Sequence, residues 1–414
     1  MANIRPFTGL RPNPALADKV AALPYDVIDS EEARELAKDN PYSFWHITKP
    51  EIDLPVGTDI HSAEVYKKGA ENLRAFRREH ILLKDSESCF YLYQQIMGDH
   101  TQTGFVACAS VDEYINGFIK KHEHTRPDKV QDRVDLMKEL DAQTGPVFLA
   151  YRQTNAMAEL LEMLLDKSKL ENDFVSYYQV RHRFFRIDYA PFNQMVRDAF
   201  TNIPALYIAD GHHRSESAAV LSQEMRRKSP DYSGNEEYHY FLTVIFPHSE
   251  LKILPYNRVV KDLNGLSEQE FLHRLAVHFS IEPIKSSNIE IKSPQQFGLY
   301  LGHSWYLLKL RADQILPQDA INRLDVSVLQ NLVLAPILGI DNPRTDKRIH
   351  FIGGIRGNEE LVRLVDQGTF AAAFAMFPTS MEQVMAVADT SEVMPPKSTW
   401  FEPKLLSGLV THLF

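Results

Sequence analysis

The chain has 414 residues, of which 44% are hydrophobic, and it carries a formal net charge of −10. This length favours two or three domains with sizeable cores. The acidic balance disfavours non-specific binding to nucleic acid or to an anionic membrane surface.

The two cysteines, Cys89 and Cys108, form no CxxC pair. A cysteine zinc knuckle or a disulfide framework is therefore disfavoured, and a reducing compartment suits the chain. The first residues lack a signal-peptide pattern, and no run of 18 apolar residues occurs. We therefore expect a cytoplasmic protein with neither a membrane nor a nucleic acid as its partner.

Residues 1–111 are rich in proline at the start and predict an irregular N-terminal extension with short helices. One helix begins at Ser30 and is capped by Ser30 or Asp29, and a longer one spans residues 66–79. Residues 89–96 and 104–111 have the apolar and alternating patterns of a β-hairpin.

Residues 112–260 form the second predicted unit. Its segment His122-Glu123-His124 precedes a helix whose start carries Pro127, and Thr125 with Asp128 resembles a capping pair. Strands are predicted near residues 147–151, 183–188 and 240–246.

The turn after residues 205–209 concentrates the polar chemistry of this unit. Five apolar residues predict a buried strand, Asp210 and Gly211 end it, and residues 215–225 have helical apolar spacing. Histidines and Arg214 therefore lie where a helix begins, and a helix start favours phosphate. Gly211 permits a close backbone approach, and arginine matches phosphate oxygens. The turn predicts an anion site, most plausibly for a nucleotide phosphate.

Residues 261–414 predict a C-terminal α/β domain. Strand patterns at 349–353 and 370–377 alternate with helices at 358–366 and from Met381, the latter capped by Thr379 or Ser380. The strip Lys397-Ser398-Thr399 follows two prolines and offers an ammonium group and two hydroxyls. Two interpretations stay open for this strip: a second phosphate-binding site, or a tail that packs on the core.

Five motifs together resemble the prokaryotic family known as domain of unknown function 1015; they are Pro24-Tyr-Asp-Val27, Asn40-Pro-Tyr-Ser-Phe44, His122-Glu-His-Thr-Arg-Pro-Asp128, Asp210-Gly-His-His-Arg214 and Pro395-Pro-Lys-Ser-Thr399. That family is similar to the free serine kinases of the ParB/sulfiredoxin superfamily. The resemblance implies an α/β (α+β) fold with a ParB/sulfiredoxin-like core, flanked by the N-terminal extension and the C-terminal α/β domain. Sulfiredoxin chemistry is excluded, because His212 stands where its reactive cysteine would fall.

The resemblance also implies a function: transfer of phosphate from ATP or ADP, with Mg²⁺, to serine or a similar hydroxy amino acid. Glu123 would be the base, with Asp210 and His213 as further catalytic residues, and Asp210 would orient a histidine or hold Mg²⁺. The implied phosphate contacts are Gly211, His212, Arg214, Ser215, Lys397, Ser398 and Thr399. The implied substrate contacts are His122, His124, Tyr256 and Arg258.

Two other functions stay open from the residues. A metal-dependent hydrolase would use His122, His124, Asp210, His212 and His213 as ligands. A nucleotide-binding switch would bind nucleotide without turnover. The N-terminal extension has three open roles, since it would cover the site, supply substrate contacts through Tyr25 and Asp26, or mediate homodimer formation.

Overall fold

The computed structural model describes residues 2–229 and 231–414. Within them the strands are β1 Ile4–Arg5, β2 Leu10–Pro12, β3 Leu82–Lys84, β4 Phe90–Met97, β5 His100–Ser110, β6 Ile119–Lys120, β7 Ala142–Gln143, β8 Val147–Tyr151, β9 Lys169–Val175, β10 Arg181–Ile187, β11 Leu206–Asp210, β12 Tyr240–Pro247, β13 Lys252–Leu254, β14 Tyr256–Val260, β15 Phe279–Ile284, β16 Gln296–Leu301, β17 Ser304–Leu310, β18 Ile349–Gly353, β19 Ala372–Ala375, β20 Trp400–Glu402 and β21 His412–Leu413. The α-helices are α1 Ala17–Val20, α2 Ser30–Ala37, α3 Trp45–Thr48, α4 Ala63–Arg78, α5 Val111–Ile115, α6 Pro127–Leu140, α7 Asn155–Lys167, α8 Ala190–Phe200, α9 His212–Lys228, α10 Glu268–Leu275, α11 Asp325–Leu329, α12 Gly357–Asp366 and α13 Met381–Asp389.

The chain divides into two compact units. The first comprises Met1–Leu251 with Pro403–Phe414, and the second comprises Lys252–Glu402. The chain therefore leaves the first unit once and returns to it for its last residues. The predicted division at residues 111 and 260 stays a prediction of domain organisation.

The first unit is built on a nine-stranded mixed sheet in the order β6-β11-β8-β12-β5-β4-β10-β9, with β1 paired to β5. The pairs β11–β6 and β12–β8 are parallel, whereas β5 pairs with β4 and β12 in antiparallel register. The apolar side chains of these strands pack with those of α7, α8 and α9 in one core. The sheet includes strands that precede residue 111 and strands that follow it. The predicted hairpin at residues 89–111 is confirmed as the antiparallel pair of β4 and β5.

The second unit contains a six-stranded antiparallel sheet in the order β15-β17-β16-β19-β14-β18, and a separate pair formed by β13 and β20. Helix α12 packs its apolar face on this sheet, where Leu361 joins Trp305 and Ala373 in the core. Helix α13 begins with the capping box of Ser380 and Gln383, so the predicted cap is confirmed. Together the two units confirm a mixed α/β protein.

The local predictions differ from the structure mainly at helix starts. The capping box of Asp29 and Glu32 begins α2 as predicted. Thr125 does not cap α6, because Arg126 is the N-cap and no side chain caps it among the described residues. Helix α9 begins at His212 rather than Ser215. No helix in the described part of the chain is long and apolar enough to cross a membrane.

Candidate functional site

The turn between β11 and α9 forms the centre of the site. Gly211 is the N-cap of α9 and has φ of +94°, a left-handed conformation that glycine adopts at little cost. None of the described side chains caps this helix. The first-turn N–H groups of a 17-residue helix therefore keep their affinity for an anion.

Two buried histidines from separate segments meet beside this turn. The rings of His122 and His212 pack edge to face with their centroids 4.5 Å apart. The backbone N–H of His122 donates to Nε2 of His212 over 3.4 Å, so the neutral His212 ring carries its proton on Nδ1. Burial lowers the pKa of His122 to about 4 and the pKa of His212 well below its usual value. Both rings are therefore neutral near pH 7.

Glu123 provides the carboxylate of the site. Its side chain is 45% exposed, and its Oε2 lies 3.6 Å from Nδ1 of His212. The Nδ1–H of that neutral ring therefore faces the carboxylate. The arrangement presents one partly exposed carboxylate beside a helix start that attracts anions.

The start of helix α6 also lies beside the turn between β11 and α9. The backbone N–H of Arg126, the N-cap of α6, donates to Nε2 of His213 over 3.1 Å. Burial also lowers the pKa of His213. The starts of α6 and α9 therefore lie next to each other, and both positive dipole ends would favour an anion bound at this turn.

The carboxylate of Asp210 is paired with two cationic side chains. Its Oδ1 accepts the backbone N–H of Gly211 over 2.9 Å, and its Oδ2 lies 3.3 Å from Nζ of Lys404 and 3.9 Å from Arg214. Burial alone would raise the pKa of this carboxyl, but the charges of Lys404 and Arg214 hold it well below the usual range. Sequence reasoning missed Lys404. The available signal was the only lysine in the mainly apolar segment of residues 403–414.

The donor set does not fit a metal at Asp210. Lys404 and Arg214 already neutralise this carboxylate, and a cation beside them would be repelled. Among residues 2–229 and 231–414, no group of three or more histidine, cysteine, aspartate or glutamate side chains is arranged to hold a metal ion. The hydrolase hypothesis therefore lacks its ligand cluster within the described residues.

Arg214 ties several segments together instead of extending into solvent. Its side chain is buried, one terminal nitrogen donates to the carbonyl of Pro146, and the other lies 3.5 Å from Oδ2 of Asp26. A Cβ added to Gly211 would lie 3.3 Å from the guanidinium carbon, so glycine lets Arg214 fold back over the turn. Asp26 of the N-terminal extension thus lies at the site.

Ser215 and His124 are two further residues predicted to belong to the site. Ser215 is fully buried, and its hydroxyl donates to the carbonyl of His212 over 3.0 Å. Ser215 therefore exposes no group to a phosphate, and we leave it out of the proposed site. His124 is exposed in the loop before α6.

The remaining predicted residues belong to the second unit, where they come together. Tyr256 and Arg258 lie on β14, and the buried Arg258 donates to the carbonyls of Tyr256 and Lys397. Nζ of Lys397 lies 5.5 Å from the centre of the Tyr256 ring. Burial lowers the pKa of Arg258 to about 10. Segments 140 residues apart thus form one cationic cluster.

The side chains of the segment Lys397-Ser398-Thr399 differ in their exposure. Ser398 is buried, and its Oγ donates to the carbonyl of Pro395 over 2.6 Å. Thr399 is partly exposed, and Lys397 is exposed with a φ of +58°. Ser398 therefore closes a turn of its own segment, whereas Lys397 and Thr399 have surface accessible to a ligand.

The family model described as protein of unknown function (DUF1015) matches residues 4–327. No curated protein matches the chain. Three solved structures illustrate the structural matches. Free serine kinase in complex with AMP is 14% identical over 72% of this chain and 86% of its own, with a TM-score of 0.35. A conserved hypothetical protein from Pyrococcus furiosus is 12% identical over 72% and 90%, with a TM-score of 0.34. C-terminally truncated SbnI from Staphylococcus aureus is 11% identical over 73% and 85%, with a TM-score of 0.38.

Proposed function

We infer the activity of this chain, which belongs to the DUF1015 family, from the chemistry of its site. We propose that it is a phosphotransferase that moves a phosphoryl group from ATP or ADP to the hydroxyl of serine or a similar hydroxy amino acid. We also propose a ParB/sulfiredoxin-like core within residues 112–260, which the strand–glycine–helix turn at Asp210–Arg214 supports.

One observation carries the proposed activity: the partly exposed carboxylate of Glu123 lies beside the uncapped start of α9. Phosphoryl transfer needs cationic or N–H groups on the phosphates and a carboxylate that orients the attacking hydroxyl. The start of α9 supplies N–H groups, and Glu123 supplies the carboxylate. The motif resemblance to the free serine kinases assigns the same two roles.

The proposed step balances as a simple displacement. The hydroxyl oxygen of the acceptor forms a bond to the terminal phosphorus, and the bond from that phosphorus to the nucleotide's bridging oxygen breaks. The hydroxyl proton passes to Glu123, and ADP or AMP leaves. His212 acts as a positioning residue, because its Nδ1–H faces Glu123 and its neutral ring adds no competing charge.

The test uses purified protein with ATP or ADP and a pool of hydroxy amino acids, with products read by phosphorus NMR. We expect Glu123→Gln to lower turnover by roughly 10²- to 10⁴-fold, the scale of general-base loss. Nucleotide affinity by calorimetry should stay within about twofold of wild type. Glu139→Gln, at an exposed glutamate on α6, the helix that follows Glu123, is the control and should match wild type in both assays.

Three results would contradict the proposal. Equal turnover in wild type and Glu123→Gln removes the base. Nucleotide binding with no phosphorylated acceptor and no hydrolysis identifies a switch instead. Release of inorganic phosphate without a phosphorylated acceptor means that water, and not a hydroxy amino acid, receives the phosphoryl group.

A further inference from the structure

A pocket within the first unit adjoins the site through Arg214. It encloses about 480 Å³ of space, counting its open mouth, and its closed part suits a molecule of only a few heavy atoms. Its polar lining comes from distant parts of the sequence: the N-terminal extension, α6, the segment before β8, α9 and the C-terminal segment. This polar lining includes Tyr25, Arg133, Thr144, Arg214 and Ser407.

The charge of this pocket is one-sided. Among the described residues that line it, the only charged side chains are the two guanidinium groups of Arg133 and Arg214, and no carboxylate reaches the lining. Each guanidinium already has a carboxylate elsewhere: Asp132 lies 2.6 Å from Arg133, and Asp26 lies 3.5 Å from Arg214. The wall therefore presents two guanidinium groups whose N–H donors match the oxygens of a carboxylate.

Three hydroxyls add hydrogen-bonding capacity to the same wall. Tyr25, Thr144 and Ser407 are among the lining residues, and each carries a hydroxyl that can donate or accept a hydrogen bond. The Tyr25 ring also lies over Arg133, with 3.9 Å between the guanidinium carbon and the ring centre. Leu136, Phe241 and other apolar side chains form the rest of the lining. This is the composition of a small-molecule site, apolar with a few convergent polar groups.

We infer that this pocket binds a small monocarboxylate, and, resting on the proposed function, that this carboxylate belongs to the acceptor. Arg214 provides the link, because it lines the pocket and also lies in the first turn of α9, 3.9 Å from Asp210. A ligand held at Arg214 lies next to the helix start that would take the phosphates. The N-terminal extension then selects the acceptor through the Tyr25 hydroxyl.

The test measures binding without nucleotide, by saturation-transfer NMR and calorimetry on the full-length protein. The probes are L-serine, D-glycerate, glycerol and inorganic phosphate. We expect the two carboxylates to bind and glycerol to bind at least tenfold more weakly. Tyr25→Phe and Thr144→Val each remove one hydroxyl without changing the shape, and each should raise the Kd of the carboxylates by about 2- to 12-fold. Tyr177→Phe, at a tyrosine that is 80% exposed, should leave Kd unchanged.

Several outcomes overturn the inference. They are an absence of carboxylate binding to wild type, glycerol binding as tightly as L-serine, inorganic phosphate as the sole probe bound, or Kd values that neither hydroxyl-removing variant changes.

Phosphorus NMR on the same samples separates this inference from the proposed function. If carboxylates bind and Tyr25→Phe raises their Kd while no phosphoryl transfer occurs, the pocket assignment is supported and the kinase proposal is contradicted. If transfer proceeds with an unchanged KM for serine in both variants, the kinase proposal stands and the pocket assignment falls.

Discussion

Replacing Lys404 by methionine tests whether the C-terminal segment holds the catalytic turn. Lys404 Nζ lies 3.3 Å from Oδ2 of Asp210, and the lysine side chain is only 14% exposed. At this distance Coulomb's law gives about 1 kcal/mol at the dielectric constant of water and about 5 kcal/mol at an effective value of 20. Arg214 stays at 3.9 Å and compensates in part, so we expect a loss of about 1–3 kcal/mol. The melting temperature should fall by roughly 3–10 °C.

The assay is a double-mutant cycle of Lys404→Met with Asp210→Asn, followed by scanning calorimetry. Lys167→Met is the matched control, because its ammonium lies 3.0 Å from Asp166 and both side chains are exposed, and such pairs contribute about 0–1 kcal/mol. The lowered pKa of Asp210 means that its stabilisation is present above pH 4 and is lost as pH falls further. The gap between wild type and Lys404→Met should therefore shrink at pH 3. A coupling energy near zero, or equal shifts for both lysines, would refute the reasoning.

Three further predictions concern other positions. Gly211→Ala places a Cβ in a left-handed turn at φ +94° and close to Arg214. We therefore expect the free energy of unfolding to fall by about 1–2 kcal/mol and ATP to bind more weakly. An unchanged melting temperature and ATP affinity would contradict this expectation. The contribution of His122 to the free energy of unfolding should fall by about 3 kcal/mol as pH drops from 6.5 to 4, because unfolded His122 binds a proton near 6.5 whereas the folded pKa is about 4. Urea titrations should find a weaker pH dependence in His122→Gln, and an identical slope argues against a neutral buried ring. Ser380→Ala removes the N-cap of α13 and should cost about 1 kcal/mol by the same titration, whereas Thr379→Ala should cost less.

Local sequence patterns determined much of the candidate site. The apolar run before Asp210, the glycine after it and the helical spacing that follows predicted the strand–turn–helix unit of β11 and α9. The cap at Asp29 was equally local, since a capping box involves residues three positions apart. Even so, the start of α9 was placed three residues late, because Arg214 folds back over a left-handed glycine. No hydrophobic periodicity marks that geometry.

The tertiary structure alone decided which side chains meet. His212 lies 90 residues beyond His122, and Lys404 lies 194 residues beyond Asp210, yet both pairs are in contact. The predicted phosphate ligand Arg214 is also an internal tie between Asp26 and the carbonyl of Pro146. Periodicity and capping encode a residue's immediate neighbours along the chain. Strand order in the sheet and the return of the last residues to the first unit determine such distant contacts, because they depend on how all the buried faces pack together.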